Sequence, residues 1–269
     1  SGDGGDELFA GYNRYFWSDR LWRWMRRIPR PARGGMARTI RAFSPASWDR
    51  AFRILPPRSR PPQPGDKLYK AADILPIEDP DAWYRLFVTH WDTLVPQSED
   101  AERELRQGPD CPEMPGLIER MQFLDLVTYL PDDILTKVDR ASMGASLEAR
   151  VPILDHRVVE FAWRLPTRLK VNGGQGKWLL RQVLYRHVPR SLIDRPKMGF
   201  GVPIDRWLRG PLRDWAEDLL DERQLRDEGF VDADAVRRTW NEHLSGDHNW
   251  QYHLWDVLVF QAWKQRWLV

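Results

Sequence analysis

Residues 130–155 read LPDDILTKVDRASMGASLEARVPILD, and a helical pattern runs into this stretch and another leaves it. Upstream, Leu117, Met121, Leu124 and Val127 recur at helical spacing and stop near Pro131, which cannot continue a helix. Within the stretch, Asp132 or Asp133 can cap a second helix carrying Ile134, Leu135 and Val138. Asp155 then precedes a short helix through Val158, Val159 and Ala162 to Pro166. Outward from there the same period returns. Gly176 precedes a helix through Leu180, Val183 and Leu184 to Pro189, and these read as stacked core helices. Further patterns cover Leu212 to Leu220, Ala233 to Leu244 behind an Asp232 cap, and Trp250 to Trp267. At the other end Leu8, Tyr12, Tyr15, Trp22 and Met25 form one apolar face until Pro29. No run alternates with the period of a strand, so the chain is predicted to be mainly α. Pro56, Pro57, Pro61, Pro62 and Pro64 mark residues 55–66 as a surface excursion.

The 269 residues suffice for a sizeable core, read here as one compact body. With 41 Lys and Arg against 39 Asp and Glu the formal charge is +2, too little for non-specific nucleic-acid binding. Arg23, Arg26, Arg27, Arg30, Arg33, Arg38 and Arg41 cluster, and are assigned to the solvated side of amphipathic helices. The 15 tryptophans fall mostly at helical spacing and are assigned to core packing. Cys111 is the only cysteine, which excludes an internal disulfide and a cysteine zinc site and suits a reducing cytoplasm. No run approaches the roughly 20 apolar residues of a membrane helix. The missing initiator Met leads us to expect a chain that begins inside something larger.

Three segments carry chemistry. The opening Ser1-Gly2-Asp3-Gly4-Gly5-Asp6-Glu7 sets three glycines and three carboxylates before a helix. Backbone NH groups there suit a phosphate, and the carboxylates a divalent metal bridged to it, although an acidic helix cap explains the composition equally well. The central stretch mixes Asp133, Lys137, Asp139, Arg140, Glu148, Arg150 and Asp155 with apolar residues. Such charges near a core need partners, so an ion-pair network competes with catalysis. Lys137 and Arg140, three apart, share a helix face and can meet a carboxylate or phosphate. The third segment, Asp194 to Pro203, presents Lys197 in a loop stiffened by Pro and Gly, where a cation can meet a developing oxyanion or leaving phosphate. Gly173-Gly174-Gln175-Gly176-Lys177 is not a Walker loop, because Val171 stands where the first glycine belongs and Trp178 where Ser or Thr should hold magnesium.

In this order, SGDGGDELFAGY, LPDDILTKVDRASMGASLEARVPILDHRVVEFA, GKWLLRQVL and RPKMGFGVP closely resemble the synthetase domain of glutamine-dependent asparagine synthetases, from Ser1 to about Leu220. The resemblance implies that the whole of residues 1–269 is the C-terminal portion of that domain. The parent fold would be a doubly wound α/β parallel sheet of the ATP-pyrophosphatase type. The N-terminal glutaminase domain and the SGGxDS pyrophosphate loop would lie upstream, and an apolar face would be left open where the sheet belongs. It implies ATP and Mg2+ as cofactors, and aspartate with glutamine or ammonia as substrates. No nucleic acid or membrane is implied as a partner, and a homodimer is compatible. Ser1, Gly2, Gly4, Asp6 and Glu7 would then bind the nucleotide, with Asp6 on the metal. Asp3 and Lys197 would be catalytic. Lys137, Asp139, Arg140, Glu148 and Arg150 would be divided between substrate contacts and scaffold. The same chemistry on another carboxylate, as in a polysaccharide amidotransferase, a lasso-peptide cyclase or a β-lactam synthetase, is the nearest rival, and a non-catalytic helical interaction module a more distant one. Asp3 argues against β-lactam synthetase, which carries a tyrosine there.

Overall fold

A computed structural model describes residues 1–54, 56, 64–91, 94, 112–194 and 201–268. Lys197 and Cys111 lie outside them, as does most of the excursion expected at 55–66. Pro64, its last proline, opens a helix, Pro64–Ile74, where a missing N–H costs nothing. Helices account for the described structure. Asn172 and Gln175 form an isolated bridge, and no strand occurs among the described residues. The mainly α reading therefore holds for this chain.

One body was expected, but the chain divides into two compact units, residues 1–88 with 109–193 and residues 89–108 with 194–269. Each has its own apolar interior. In the first, Tyr15, Trp22 and Met25 of the helix Asn13–Met25 pack with Trp83, Met121 and Leu124. Beside them Leu8, Phe9 and Ala162 close a smaller cluster with Ile153, Leu154 and Leu180. Of the arginine cluster, most are exposed, but Arg33 is buried. Its guanidinium donates to the Leu75 and Ile77 carbonyls, both at 3.1 Å, and reaches Glu78 at 3.2 Å. A buried guanidinium is tolerated there because its charge has both a carboxylate and carbonyl acceptors.

Two boundaries differ from expectation. The opening pattern is two helices, Gly5–Leu8 and Asn13–Met25, because Ala10 adopts a left-handed φ of 52° between them. Asp132 and Asp133 cap nothing. The chain passes through a π-helical turn, Leu130–Leu135, directly into the helix Thr136–Met143, so no free N-terminus arises for them to satisfy. Nor are the helices His156–Arg164 and Trp178–Leu184 core on all sides. Phe161, Val183 and Leu184 are exposed, as are Met143, Leu147 and Leu192.

The second unit packs the helices Ile204–Arg209, Arg213–Leu219, Glu222–Glu228, Ala233–Ser245 and Gln251–Trp267 around Leu208, Leu225, Val236, Trp240, Leu254 and Leu258. Asp221 and Asp232 cap their helices through the backbone N–H groups of Gln224 (2.9 Å) and Ala235 (3.0 Å). Gly229 and Gly246 end those helices at φ 66° and 83°, a backbone open to glycine at no steric cost. The tryptophans are not all core: Trp22, Trp83 and Trp240 are buried, Trp48, Trp91, Trp163, Trp178, Trp250 and Trp255 are half-buried, and others, including Trp17, Trp24, Trp263 and Trp267, are exposed.

Candidate functional site

The acidic opening is shaped by its glycines. Gly4 has φ 81°, and a Cβ there would lie 2.3 Å from Leu154 Cδ2, so the loop turns against the Ile153–Leu154 segment only with glycine at this position. The four-residue helix Gly5–Leu8 follows, and Gly11 N then donates back to the Asp6 carbonyl at 2.7 Å. A Cβ on Gly11 would fall 2.0 Å from Asp6 Oδ1 and 2.4 Å from Lys177 Cε. That space is filled instead by an ion pair, Lys177 Nζ to Asp6 Oδ2 at 2.7 Å, each side chain 28% exposed. Lys177 is presented by its own unusual backbone. Its φ is 55°, its N donates to the Phe9 carbonyl at 2.9 Å, and it opens the helix Trp178–Leu184.

The three loop carboxylates therefore part company. Asp3 is partly exposed and accepts a hydrogen bond from Ser1 Oγ, while Asp6 faces Lys177. Glu7 turns inward, 2% exposed, and accepts from Tyr12 OH at 2.7 Å. Burial pushes its carboxyl above the ordinary 4.5. Glu7 was expected in the nucleotide-binding set; in the structure its side chain belongs to the support beneath the loop, because it ends in the interior. Ser1 and Gly2 are exposed, and Gly4 is buried in the turn.

Of the charged residues of the central motif, Arg150 touches this loop through its backbone, its carbonyl accepting from Ser1 N at 2.6 Å. Its guanidinium pairs with Glu148 at 3.1 Å on an exposed surface. Lys137, Asp139 and Arg140 are exposed on the helix Thr136–Met143, and among the described residues no hydrogen bond or ion pair ties them to the loop. They are solvated, so the interior ion-pair network weighed for this stretch is not formed by them. Asp155 caps the helix His156–Arg164 and holds Arg157 through two 2.9 Å bonds, which keep its carboxyl well below the usual range.

Beneath the loop lies a buried polar layer that pattern reading did not identify. The helix Leu117–Val127 carries Gln122 and Asp125, both fully buried. Gln122 donates to the Glu7 carbonyl and accepts from the buried Lys170 Nζ at 3.4 Å. Burial pushes the Lys170 ammonium below its ordinary value, and its Nζ also sits 4.9 Å from the Trp163 ring centre. Asp125 accepts from Arg14 Nη2 (2.6 Å), Tyr84 OH (2.7 Å) and Tyr15 OH. The signal was present in the spacing: Gln122 and Asp125, three apart, occupy the face that Met121 and Leu124 mark as core.

The outward part of the site can meet a phosphate through Lys177 and exposed loop backbone, and a hard cation through Asp6 and Asp3. Among the described residues no group of three or more His, Cys, Asp or Glu could cage a metal ion. Magnesium arriving on phosphate oxygens needs only one or two protein carboxylates, so this donor set fits an ion carried by the nucleotide.

Comparison with known proteins supports the same class. The asparagine synthase family model matches residues 1–265, so the chain belongs to that family. A Mycobacterium tuberculosis protein, provisionally named asparagine synthetase (glutamine-hydrolyzing), is 34% identical over 269 residues, which cover 98% of this chain and 38% of that protein. Asparagine synthetase (glutamine-hydrolyzing) 1 of Bacillus subtilis is 35% identical over 146 residues, 54% of this chain and 23% of that enzyme. A Gibberella zeae protein named amidase chry2 is 27% identical over 127 residues, 45% of this chain and 19% of its own length. The chain thus spans well under half the length of these relatives. No solved structure matches it.

Proposed function

We propose that residues 1–269 form the C-terminal portion of the synthetase domain of a glutamine-hydrolysing, asparagine-synthetase-type ligase. The match of the family model along residues 1–265 carries this reading. The parent domain would then be a doubly wound α/β fold, with glutaminase domain and SGGxDS loop elsewhere in the protein, working in the cytoplasm and compatible with a homodimer.

A carboxylate resists amines until one oxygen is made a leaving group. In the proposed reaction the side-chain carboxylate of aspartate attacks the α-phosphorus of MgATP, and pyrophosphate leaves. Ammonia from glutamine then attacks the acyl carbon of the adenylate, a proton is lost, and AMP departs as asparagine forms. Asp6 would hold the magnesium that accompanies the phosphates, and Lys177, which pairs with Asp6, would add positive charge where pyrophosphate accumulates negative charge. Asp3 lies at the reacting carboxylate. Lys197 acts on the transition state of adenylation and on the acyl-adenylate, with Ser1, Gly2 and Gly4 contributing loop backbone and Lys137, Asp139, Arg140, Glu148 and Arg150 lining or supporting the acceptor side.

The test uses the full-length protein with aspartate, MgATP and ammonium. Asparagine, AMP and pyrophosphate are expected in equal amounts, whereas residues 1–269 alone should give none. Asp6→Asn should raise the magnesium requirement or abolish ATP use. Lys197→Ala should leave the melting temperature nearly unchanged and lower kcat for synthesis on the order of 100-fold or more, with glutamine hydrolysis largely retained. Normal synthesis by Lys197→Ala, or no pyrophosphate release by the full-length protein with aspartate, would overturn the corresponding part of the proposal.

A further inference from the structure

Arg14 stands where helix energetics do not want it. It is the second residue of the helix Asn13–Met25, whose first turn holds no acid and whose Tyr12 cap makes no side-chain hydrogen bond. A cation at a helix N-terminus opposes the macrodipole. Its Nε is buried without a partner, a further cost. A residue that carries two local penalties invites a reason outside its own helix.

That reason is visible in what its guanidinium touches. Nη2 is anchored on the buried Asp125 at 2.6 Å, and the guanidinium carbon lies 4.5 Å from the Tyr12 ring centre and 5.0 Å from that of Tyr129. Those rings meet edge to face, 6.1 Å apart. They also belong to different functional segments. Tyr12 OH holds Glu7, next to Asp6 in the acidic loop. Tyr129 leads into the π-helical turn Leu130–Leu135, which delivers Lys137 and Arg140 on the adjoining helix. π-turns within helical runs are frequent at functional sites, where they re-aim the next helical segment. Asp125, satisfied by Tyr15 and Tyr84 as well, holds the guanidinium in one place.

We propose that Arg14 is a positioning residue: anchored by Asp125, it clasps the Tyr12 and Tyr129 rings together and so couples the acidic loop to the segment carrying Lys137 and Arg140. Its bearing on catalysis rests on the amide-forming reading above; the coupling itself does not.

Amide hydrogen exchange on the full-length protein reads that coupling directly. The Leu8 and Gly11 amides, bonded to the Gly4 and Asp6 carbonyls, report on the loop, and the Asp132 amide, bonded to the Thr128 carbonyl, reports on the turn. The Arg33 amide, on the Pro29 carbonyl, reports on the rest of the unit. Tyr129→Leu should speed exchange at Leu8 and Gly11 on the order of 10-fold, across the clasp, with Arg33 unchanged. In an Arg14→Lys background, where the charge beside Asp125 is kept but two rings cannot both be covered, Tyr129→Leu should leave Leu8 and Gly11 unaltered. An effect of Tyr129→Leu confined to the turn, a uniform rise that includes Arg33, or full transmission in Arg14→Lys would each overturn the clasp. Tyr84→Phe, which removes one donor to Asp125 without touching either ring, should leave transmission intact. Loss of coupling together with normal synthesis by the full-length protein would sever the clasp from catalysis. An inactive full-length protein with coupling intact would count only against the amide-forming reading.

Discussion

A side chain at Gly176 would place its first carbon 2.1 Å from the Ala10 carbonyl oxygen and 2.8 Å from Phe16 Cζ, a collision with backbone that no rotamer relieves. Gly174, two residues earlier, has a left-handed φ of 78° and open space around it. The two glycines therefore separate close approach from conformational freedom. Gly174→Ala should cost about 1 kcal/mol, the ordinary penalty of a Cβ in that region. Gly176→Ala should cost about 2–3 kcal/mol by urea unfolding, because it forces apart the Ala10–Gly11 and Gly176–Lys177 segments. It should also weaken the Asp6–Lys177 pair, read as faster amide exchange at Gly11, whose N–H is bonded to the Asp6 carbonyl. Equal costs at the two positions would contradict this account. Lys177 itself matters little to the fold by comparison, since its pair with Asp6 keeps partial access to water.

Among elements, the helix Ala233–Ser245 shows how local chemistry sets a boundary. Asp232 accepts from Ala235 N at 3.0 Å, and Gly246 closes the other end at φ 83°. Asp232→Ala should lower the stability of the second unit by about 1 kcal/mol, while Asp232→Ser should restore most of it; a neutral Asp232→Ala would remove the cap from the account. The same helix carries a pH response. His243 is fully buried, and its Nδ1 accepts from Trp250 N at 3.2 Å with Arg209 Nη2 at 3.4 Å. Burial first, then the Arg209 charge, pushes its imidazole below the ordinary 6.5, against a smaller opposing pull from Asp205. The unfolded chain then binds the proton more readily than the folded one. Stability of this unit should be complete above about pH 6.5 and fall as pH drops from there through the folded value. Glu217 and Glu228, held below 4.5, add their losses only at lower pH. His243→Asn keeps an acceptor for Trp250 N without titrating there, so its chemical-denaturation curves should lose the pH dependence that sets in as pH drops below about 6.5; an unchanged slope would assign it elsewhere.

At the scale of the whole molecule, helix positions were largely legible because they depend on neighbours three and four residues apart. The apolar period, the prolines that stop it and the Asp232 cap placed Leu117–Val127, Ala233–Ser245 and Gln251–Trp267 within a few residues. Membership of the asparagine synthase family was legible too, since the ordered motifs are themselves sequence. The break at Ala10, the π-turn before Thr136 and the division into two units were not. Each depends on which distant surfaces meet, and nothing in residues 5–25 alone says that Lys177 will bond its backbone to Phe9. The site divides along the same line. The sequence by itself determined that Asp3, Asp6 and Glu7 stand together at the start of the chain, because adjacency in the chain enforces it; that Asp6 and Glu7 form the first turn of a short helix, Gly5–Leu8, it did not. Only tertiary structure decided that Glu7 turns inward to Tyr12, that Asp6 meets a lysine 171 residues away, and that Asp125 anchors Arg14 between two rings. Charge pairing and burial are properties of packed surfaces, and residue order constrains them only after the chain has folded.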